Sequence, residues 1–328
     1  MNLEKHTLFS RNTPPRPATA ETTAPAQSSE PVTEALARTP RACLDDVFLS
    51  QGIRDELALN LAMIRNHALL YEEWGLARIE PQQRGVVLNF YGPPGTGKTK
   101  TAEAMAHELG KTILEANYAV LVSELQGKTG KNIEAVFNSA RAENAVLFFD
   151  EADSLLSRRA EGSSPGGGQD LNTAKSIMLK QLDQFDGVVI FATNLFRNYD
   201  SAFFRRISAH IHFDLPCAQV REQLWRFMLS PNVPGRENID MAALVASSEG
   251  LAGGDIANVV KQTLGRLLMK SPRLLTQDDL TTRIDRLREA RNAQQGIGER
   301  VLQGEEKAAA LRKFGVSEPE PESRAAAA

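Results

Sequence analysis

Eight consecutive residues, Gly92-Pro93-Pro94-Gly95-Thr96-Gly97-Lys98-Thr99, have the make-up needed to grip a chain of phosphates. The three glycines allow φ values closed to residues with a Cβ, so successive N–H groups can line a concave nest for anionic oxygens. Lys98 adds a positive charge suited to β- and γ-phosphates. The Thr99 hydroxyl is a hard oxygen donor of the kind Mg²⁺ takes. A helix beginning here would aim its N-terminal dipole at the same phosphates. The spacing is G-x-x-x-x-G-K-[ST], a phosphate-binding loop. Further along, Asp150-Glu151 closes a wholly apolar run. Asp150 suits holding Mg²⁺ through water, and Glu151 suits polarising an attacking water as general base. The ligands implied are ATP and Mg²⁺.

These groups work together only if the chain brings them to one place. Val86-Val87-Leu88-Asn89-Phe90-Tyr91 reads as a buried strand leading into the glycine loop. Ala102, Met105, Ala106 and Leu109 follow it at helical spacing and stop at Gly110. Residues 112–116 read as a second strand and 119–125 as a short helix. Residues 126–130 read as a loop, and Ile133, Val136, Phe137 and Ala140 as a helix face. Ala145-Val146-Leu147-Phe148-Phe149 reads as a parallel strand covered on both faces. After an expected mobile loop over 160–170, Ala174, Met178, Leu182 and Phe185 resume helical spacing. Residues 188–193 form another buried strand with Asn194 at its end. An amide there suits a hydrogen bond to a γ-phosphate or to the attacking water; Asn is also an ordinary strand-ending residue. A short helix over 200–206, carrying Arg205 and Arg206, and a last strand over 210–213 complete the alternation.

Five strands alternating with helices predict an α/β doubly wound sheet, whose ligands gather at the strands' carboxyl ends. That edge is where the glycine loop and Asp150-Glu151 both arrive. Beyond Pro216 no strand pattern appears. Faces such as Val220-Leu224-Phe227 and Ile256-Val259-Val260 predict a small helical domain. The expected organisation is a disordered tail over 1–42, an α/β nucleotide-binding domain over 43–215, a helical domain over 216–290, and a polar, largely disordered extension over 291–328.

At 328 residues and 42% hydrophobic, the chain can bury a sizeable core. A net charge of −3 argues against a dedicated nucleic-acid binder, without excluding a local basic patch. Cys43 and Cys217 make neither a disulfide framework nor a zinc site and fit a reducing, cytoplasmic compartment. No apolar run approaches the roughly 18 residues of a membrane span, so no membrane partner is expected.

Together these residues resemble the AAA+ ATPases, in particular the AAA subfamily proper, from about Leu44 to Leu287. Gly92 to Thr99 is similar to the family's Walker A motif. Residues 148–156, containing Asp150 and Glu151, resemble Walker B and its sequel. Residues 190–194, ending in Asn194, resemble sensor 1. Residues 202–206 resemble the segment carrying arginine fingers, and 250–256 the lid signature. The resemblance implies a P-loop NTPase fold: a five-stranded parallel sheet ordered 5-1-4-3-2, flanked by helices, with a helical lid. It implies a homo-oligomeric, usually hexameric, ring in which Arg205 and Arg206 reach a neighbour's γ-phosphate.

Two departures stand out. Where the family's pore loop usually carries Lys-aromatic-hydrophobic-Gly, this chain has Glu124-Leu125-Gln126-Gly127. At the lid position where many relatives carry a nucleotide-touching arginine, it has Gly254, as the subfamily proper generally does. The expected function is an ATPase remodelling a protein partner not identified by the sequence; the alternative is a loader or clamp on nucleic acid or a nucleic-acid-bound complex. A small-molecule kinase is disfavoured by the lid, Asp150-Glu151 and the arginine pair.

Overall fold

The computed structural model describes residues 37–79, 85–117, 129–156, 167–194 and 199–296. Its centre is a parallel sheet of β1 (Val86–Tyr91), β2 (Ile113–Asn117), β3 (Val146–Asp150), β4 (Val188–Thr193) and β5 (Ala209–His212). The strands lie in the order β2-β3-β4-β1-β5, which is the 5-1-4-3-2 arrangement expected. Every neighbouring pair is parallel, with Tyr91 opposite Thr193 and Asn117 opposite Asp150 at the carboxyl ends.

The period-2 alternation of a strand explains how one apolar run serves two cores. On β3, Val146 and Phe148 join Leu88, Phe90 and Met105 on one face. Leu147 and Phe149 join Phe137, Met178 and Phe185 on the other. Helices α1 (Gln51–Arg65) and α2 (Lys98–Glu108) contribute to the first core; α3 (Thr129–Ala142) and α5 (Gly167–Gln184) contribute to the second. Between β3 and α5 lies the single turn α4 (Asp153–Leu156), and between β4 and β5 the short α6 (Ser201–Phe204). Asp200 caps α6, its Oδ1 accepting the Ala202 N–H at 2.9 Å.

The chain then becomes all helical: α7 (Ala218–Met228), α8 (Met241–Ser247), α9 (Gly253–Leu267) and α10 (Gln277–Gly296). They share a separate core of Leu224, Trp225, Leu244, Ile256, Val259 and Ile284. The Trp225 indole N–H is satisfied by Ser248 Oγ at 3.0 Å.

Several boundaries differ from the sequence expectations. The tail expected through residue 42 gives way earlier. Arg38 exchanges backbone hydrogen bonds of 2.9 Å in both directions with Ile113, and its guanidinium pairs with Glu103 and Glu115. The edge strand β2 offers unpaired N–H and C=O groups, and this segment takes them up. Residues 44–49 include a 3₁₀ turn over Leu44–Asp46, where the Cys43 N–H donates to Asp46 Oδ2 at 3.0 Å. Helix α3 takes in Thr129 and Gly130, expected as loop; α5 starts at Gly167, inside the expected loop over 160–170. Helix α10 runs to Gly296, past the boundary at 290. The pore-loop reading on Leu125 and the tail readings for residues 1–36 and 297–328 fall outside the described residues. Among the described residues, no helix is long and apolar enough to cross a membrane.

Candidate active site

Both chemical motifs arrive at the carboxyl edge of the sheet, as the parallel topology requires. β1 ends at Tyr91 and the loop from Gly92 to Thr99 follows. Gly92 has φ +141°, and a Cβ there would lie 2.2 Å from the Phe213 carbonyl oxygen. Only glycine lets the loop leave β1 so close to the chain beyond β5. Gly97, at φ +100°, then starts α2 with Lys98 as its first residue. Thr96 Oγ1 donates to the Pro93 carbonyl at 2.9 Å, closing the loop on itself.

Lys98 is 8% exposed, and its ammonium donates three hydrogen bonds: to Gly92 O at 2.8 Å, Pro93 O at 2.9 Å and Asn194 Oδ1 at 2.9 Å. Burial pushes its pKa below the usual lysine value, while Asp150 and Asp153 pull it back up. The bond to Asn194 links two residues 96 positions apart. It exists because β4 lies next to β1 in the sheet although two strands intervene in sequence.

Thr99 Oγ1 donates to Asp150 Oδ2 at 2.9 Å. A hydroxyl and a carboxylate side by side at a phosphate loop are the hard oxygen donors that Mg²⁺ takes from protein, the rest of its shell being water and phosphate. Accordingly, among the described residues there is no cluster of three or more His, Cys, Asp or Glu side chains shaped for a metal.

Glu151 follows with φ +52°, a left-handed backbone that non-glycine residues rarely adopt. Its N–H is held by Asp150 Oδ1 at 2.9 Å, and the next N–H, of Ala152, donates to Ala192 O at 2.9 Å. Such strain costs on the order of 1–3 kcal/mol and persists where surrounding bonds enforce it. Here they enforce a sharp turn that leaves Glu151 exposed at the edge, beside the phosphate loop.

The expected arginine pair separates. Arg206 makes a two-pronged ion pair with Asp183 of α5, at 2.6 and 2.8 Å, and donates to Ala202 O at 3.0 Å. That pairing raises its pKa further. Arg205, the residue before it, is exposed.

The cleft itself was not legible from the motifs. About 850 Å³ of space, open to solvent, lies between the lead-in segment (Val47, Phe48, Ile53), the loop at Gly95–Gly97, and the helical domain (Leu224, Phe227, Met228). Its walls are mainly apolar, as those of small-molecule sites usually are. Phe48 packs on Phe227 with ring centroids 5.1 Å apart, and Lys100 lies 5.8 Å from the Phe227 ring. The N-terminus of α9 rests on the phosphate loop, Gly254 N–H donating to Gly95 O at 3.0 Å. A Cβ at Gly95 would meet Ala252 and Gly254 at 3.4–3.5 Å. Phe48 and Phe227 are separated by most of the α/β domain in sequence, so no local pattern could have joined them.

The family model described as "ATPase family associated with various cellular activities (AAA)" matches residues 88–215. The chain is 35% identical over 190 residues to the katanin p60 ATPase-containing subunit A1 of Strongylocentrotus purpuratus, covering 54% of this chain and 36% of that protein. It is 31% identical over 221 residues to the 26S proteasome regulatory subunit 8 homolog of Schizosaccharomyces pombe, covering 65% and 53%. The 26S proteasome regulatory subunit 8 of Caenorhabditis elegans is 32% identical over 221 residues, covering 65% and 51%. The chain thus spans between about a third and a half of the length of these relatives.

Proposed function

From the match of residues 88–215 to the AAA family model, we propose that this chain is an AAA-type ATPase that hydrolyses ATP in the cleft described and uses the cycle to remodel a protein partner. One observation carries the reading: Lys98, Thr99, Asp150 and Asn194, drawn from three strand ends, are joined by hydrogen bonds of 2.9 Å around the phosphate loop.

The triphosphate lies along the loop from Gly92 to Thr99, with Pro93, Pro94, Gly95, Thr96 and Gly97 offering backbone to it. The base enters the apolar part of the cleft by Phe48 and Met228. Lys98 exchanges a carbonyl partner for β- and γ-phosphate oxygens, and its bond to Asn194 fixes that amide beside the γ-phosphate. Thr99 and Asp150 would hold Mg²⁺, which would neutralise charge on the phosphates. Glu151 orients a water and accepts its proton. Arg205, exposed at the far side of the sheet from β2, serves the γ-phosphate of a neighbouring subunit in a closed homo-oligomeric ring, the hexamer being its expected size.

The helical domain supports transmission of the cycle, since α7 and α9 line the cleft that the nucleotide fills. The relatives are named as subunits of katanin and of the 26S proteasome, which supports an oligomer acting within or upon protein assemblies. The loader reading draws nothing from those names. The division between an α/β part and a helical part near residues 215–216 is supported by the change from sheet to helices after β5.

Glu151→Gln keeps the shape of the side chain and removes the base. It should bind ATP as the wild type does and hydrolyse it on the order of 10²-fold more slowly. Phosphate release and nucleotide binding measured on the same preparation check both halves. Undiminished turnover would place the base elsewhere and end this reading of the site.

A further inference from the structure

The proposed ATP chemistry uses Lys98, Thr99, Asp150, Glu151 and Asn194, but not three polar side chains beneath α6. Asn89 sits in the middle of β1, fully buried among apolar neighbours. Its Nδ2 donates to the Tyr199 hydroxyl at 3.0 Å and lies 3.2 Å from Nδ1 of His210, its cross-strand partner on β5. The Tyr199 hydroxyl also shares a hydrogen bond with Thr193, the last residue of β4. The Thr193 hydroxyl in turn donates to Asp153 Oδ1, the same oxygen that accepts the Asn194 N–H at 3.1 Å. The contacts therefore run without a break through Asn89, Tyr199, Thr193 and Asp153. Burial pushes the Tyr199 phenol up to about 12, which keeps it a neutral donor.

The other end of the chain of contacts reaches α6. The His210 ring stacks on Phe204 with centroids 4.6 Å apart, and Phe204 directly precedes Arg205. Tyr199 directly precedes Asp200, which caps α6. A buried amide is costly unless its partners are in place, and an apolar residue would have filled the same position in β1 without that demand. What the polar residues add is a contiguous connection between two places that both bear on a γ-phosphate.

We propose that Asn89, Tyr199 and His210 are positioning residues that tie Asn194 in the chain's own cleft to Arg205, offered to the neighbour's cleft. This rests on the reading of Arg205 as acting in trans. The bonds through Asp153, Thr193 and Tyr199, and the ring contacts of His210 with Phe204, fix where Arg205 stands whether or not the subunit's own cleft holds a phosphate.

The test uses mixed assemblies in which the hydrolysing cleft and the relay belong to different subunits. Arg205→Ala subunits keep an intact cleft and lack the arginine. Lys98→Ala subunits lack the phosphate contact and keep the arginine. Mixing them, with subunit exchange confirmed by light scattering, should restore ATPase activity. Replacing the second partner by Lys98→Ala/Tyr199→Phe removes one hydroxyl from the subunit that supplies the arginine. The restored turnover should fall at least about fivefold, the lower end of ordinary coupling between sites, at unchanged KM for ATP. Loosening of the mutated subunit's own cleft is silent in this arrangement, because that cleft is already dead. Lys98→Ala/Asn89→Leu, which keeps the Tyr199 hydroxyl but removes its donor, should show the same loss. Thermal melts establish that each variant is folded. Equal recovery with and without the Tyr199 hydroxyl overturns the relay. No recovery even with Lys98→Ala alone removes the trans arginine and the relay with it, and is told apart by that control.

Discussion

The phosphate loop and the segment that follows α6 handle charge in opposite ways. At the phosphate loop, Lys98 is bonded to Asn194 and Thr99 to Asp150 within the chain. At α6, two adjacent arginines divide: Arg206 is held by both oxygens of Asp183, while Arg205 stands exposed. After α6 one cation is held in the fold and the other is exposed. Identical residue type and neighbouring position therefore say little about role; the partner supplied by a distant helix decides it.

Substitutions at the two arginines should break that comparison first. Arg205→Ala should bind ATP normally and lose on the order of 10³-fold in turnover, the scale for removing an arginine that stabilises transition-state charge. Arg206→Ala should act on the fold instead. Its pair with Asp183 is about one third exposed on each side, so the loss is within about 1 kcal/mol, seen as a small drop in Tm. Equal catalytic defects in both, with equal stability, would erase the distinction between them.

The smallest expected effect sharpens the picture at His210. Burial holds its pKa below the usual histidine value of 6.5. As pH falls below that value the unfolded chain takes up a proton that the folded one still refuses, so stability drops until the lowered folded pKa is passed. Tm followed downward from neutral pH should fall less steeply in His210→Asn than in the wild type. Parallel curves would mean that the imidazole is not buried as described.

Much of this was legible in the sequence. The apolar runs ending in Tyr91, Asp150 and Asn194 marked three strands well, because a doubly covered parallel strand leaves no polar period to confuse it. The order of the strands came from resemblance, since residue periodicity is silent on which strands are neighbours. One amide, Asn89, inside an otherwise apolar six-residue strand was the available signal for the relay. The Arg206–Asp183 pair spans helices whose faces carry no charge pattern linking them. The cleft's apolar wall needed Phe48 and Phe227 together, and their meeting is tertiary. The turn at Glu151 is a backbone property, imposed by bonds to Asp150 and Ala192 that no motif spells out.

The central claim is that each cleft is completed by its neighbour, and the wild-type protein tests it directly. Specific ATPase activity should be measured across a dilution series at saturating ATP and Mg²⁺, with light scattering on the same samples. Activity per subunit should rise with concentration in step with assembly and approach zero where only monomers remain. Constant activity per subunit in samples that scatter as monomers would contradict the account.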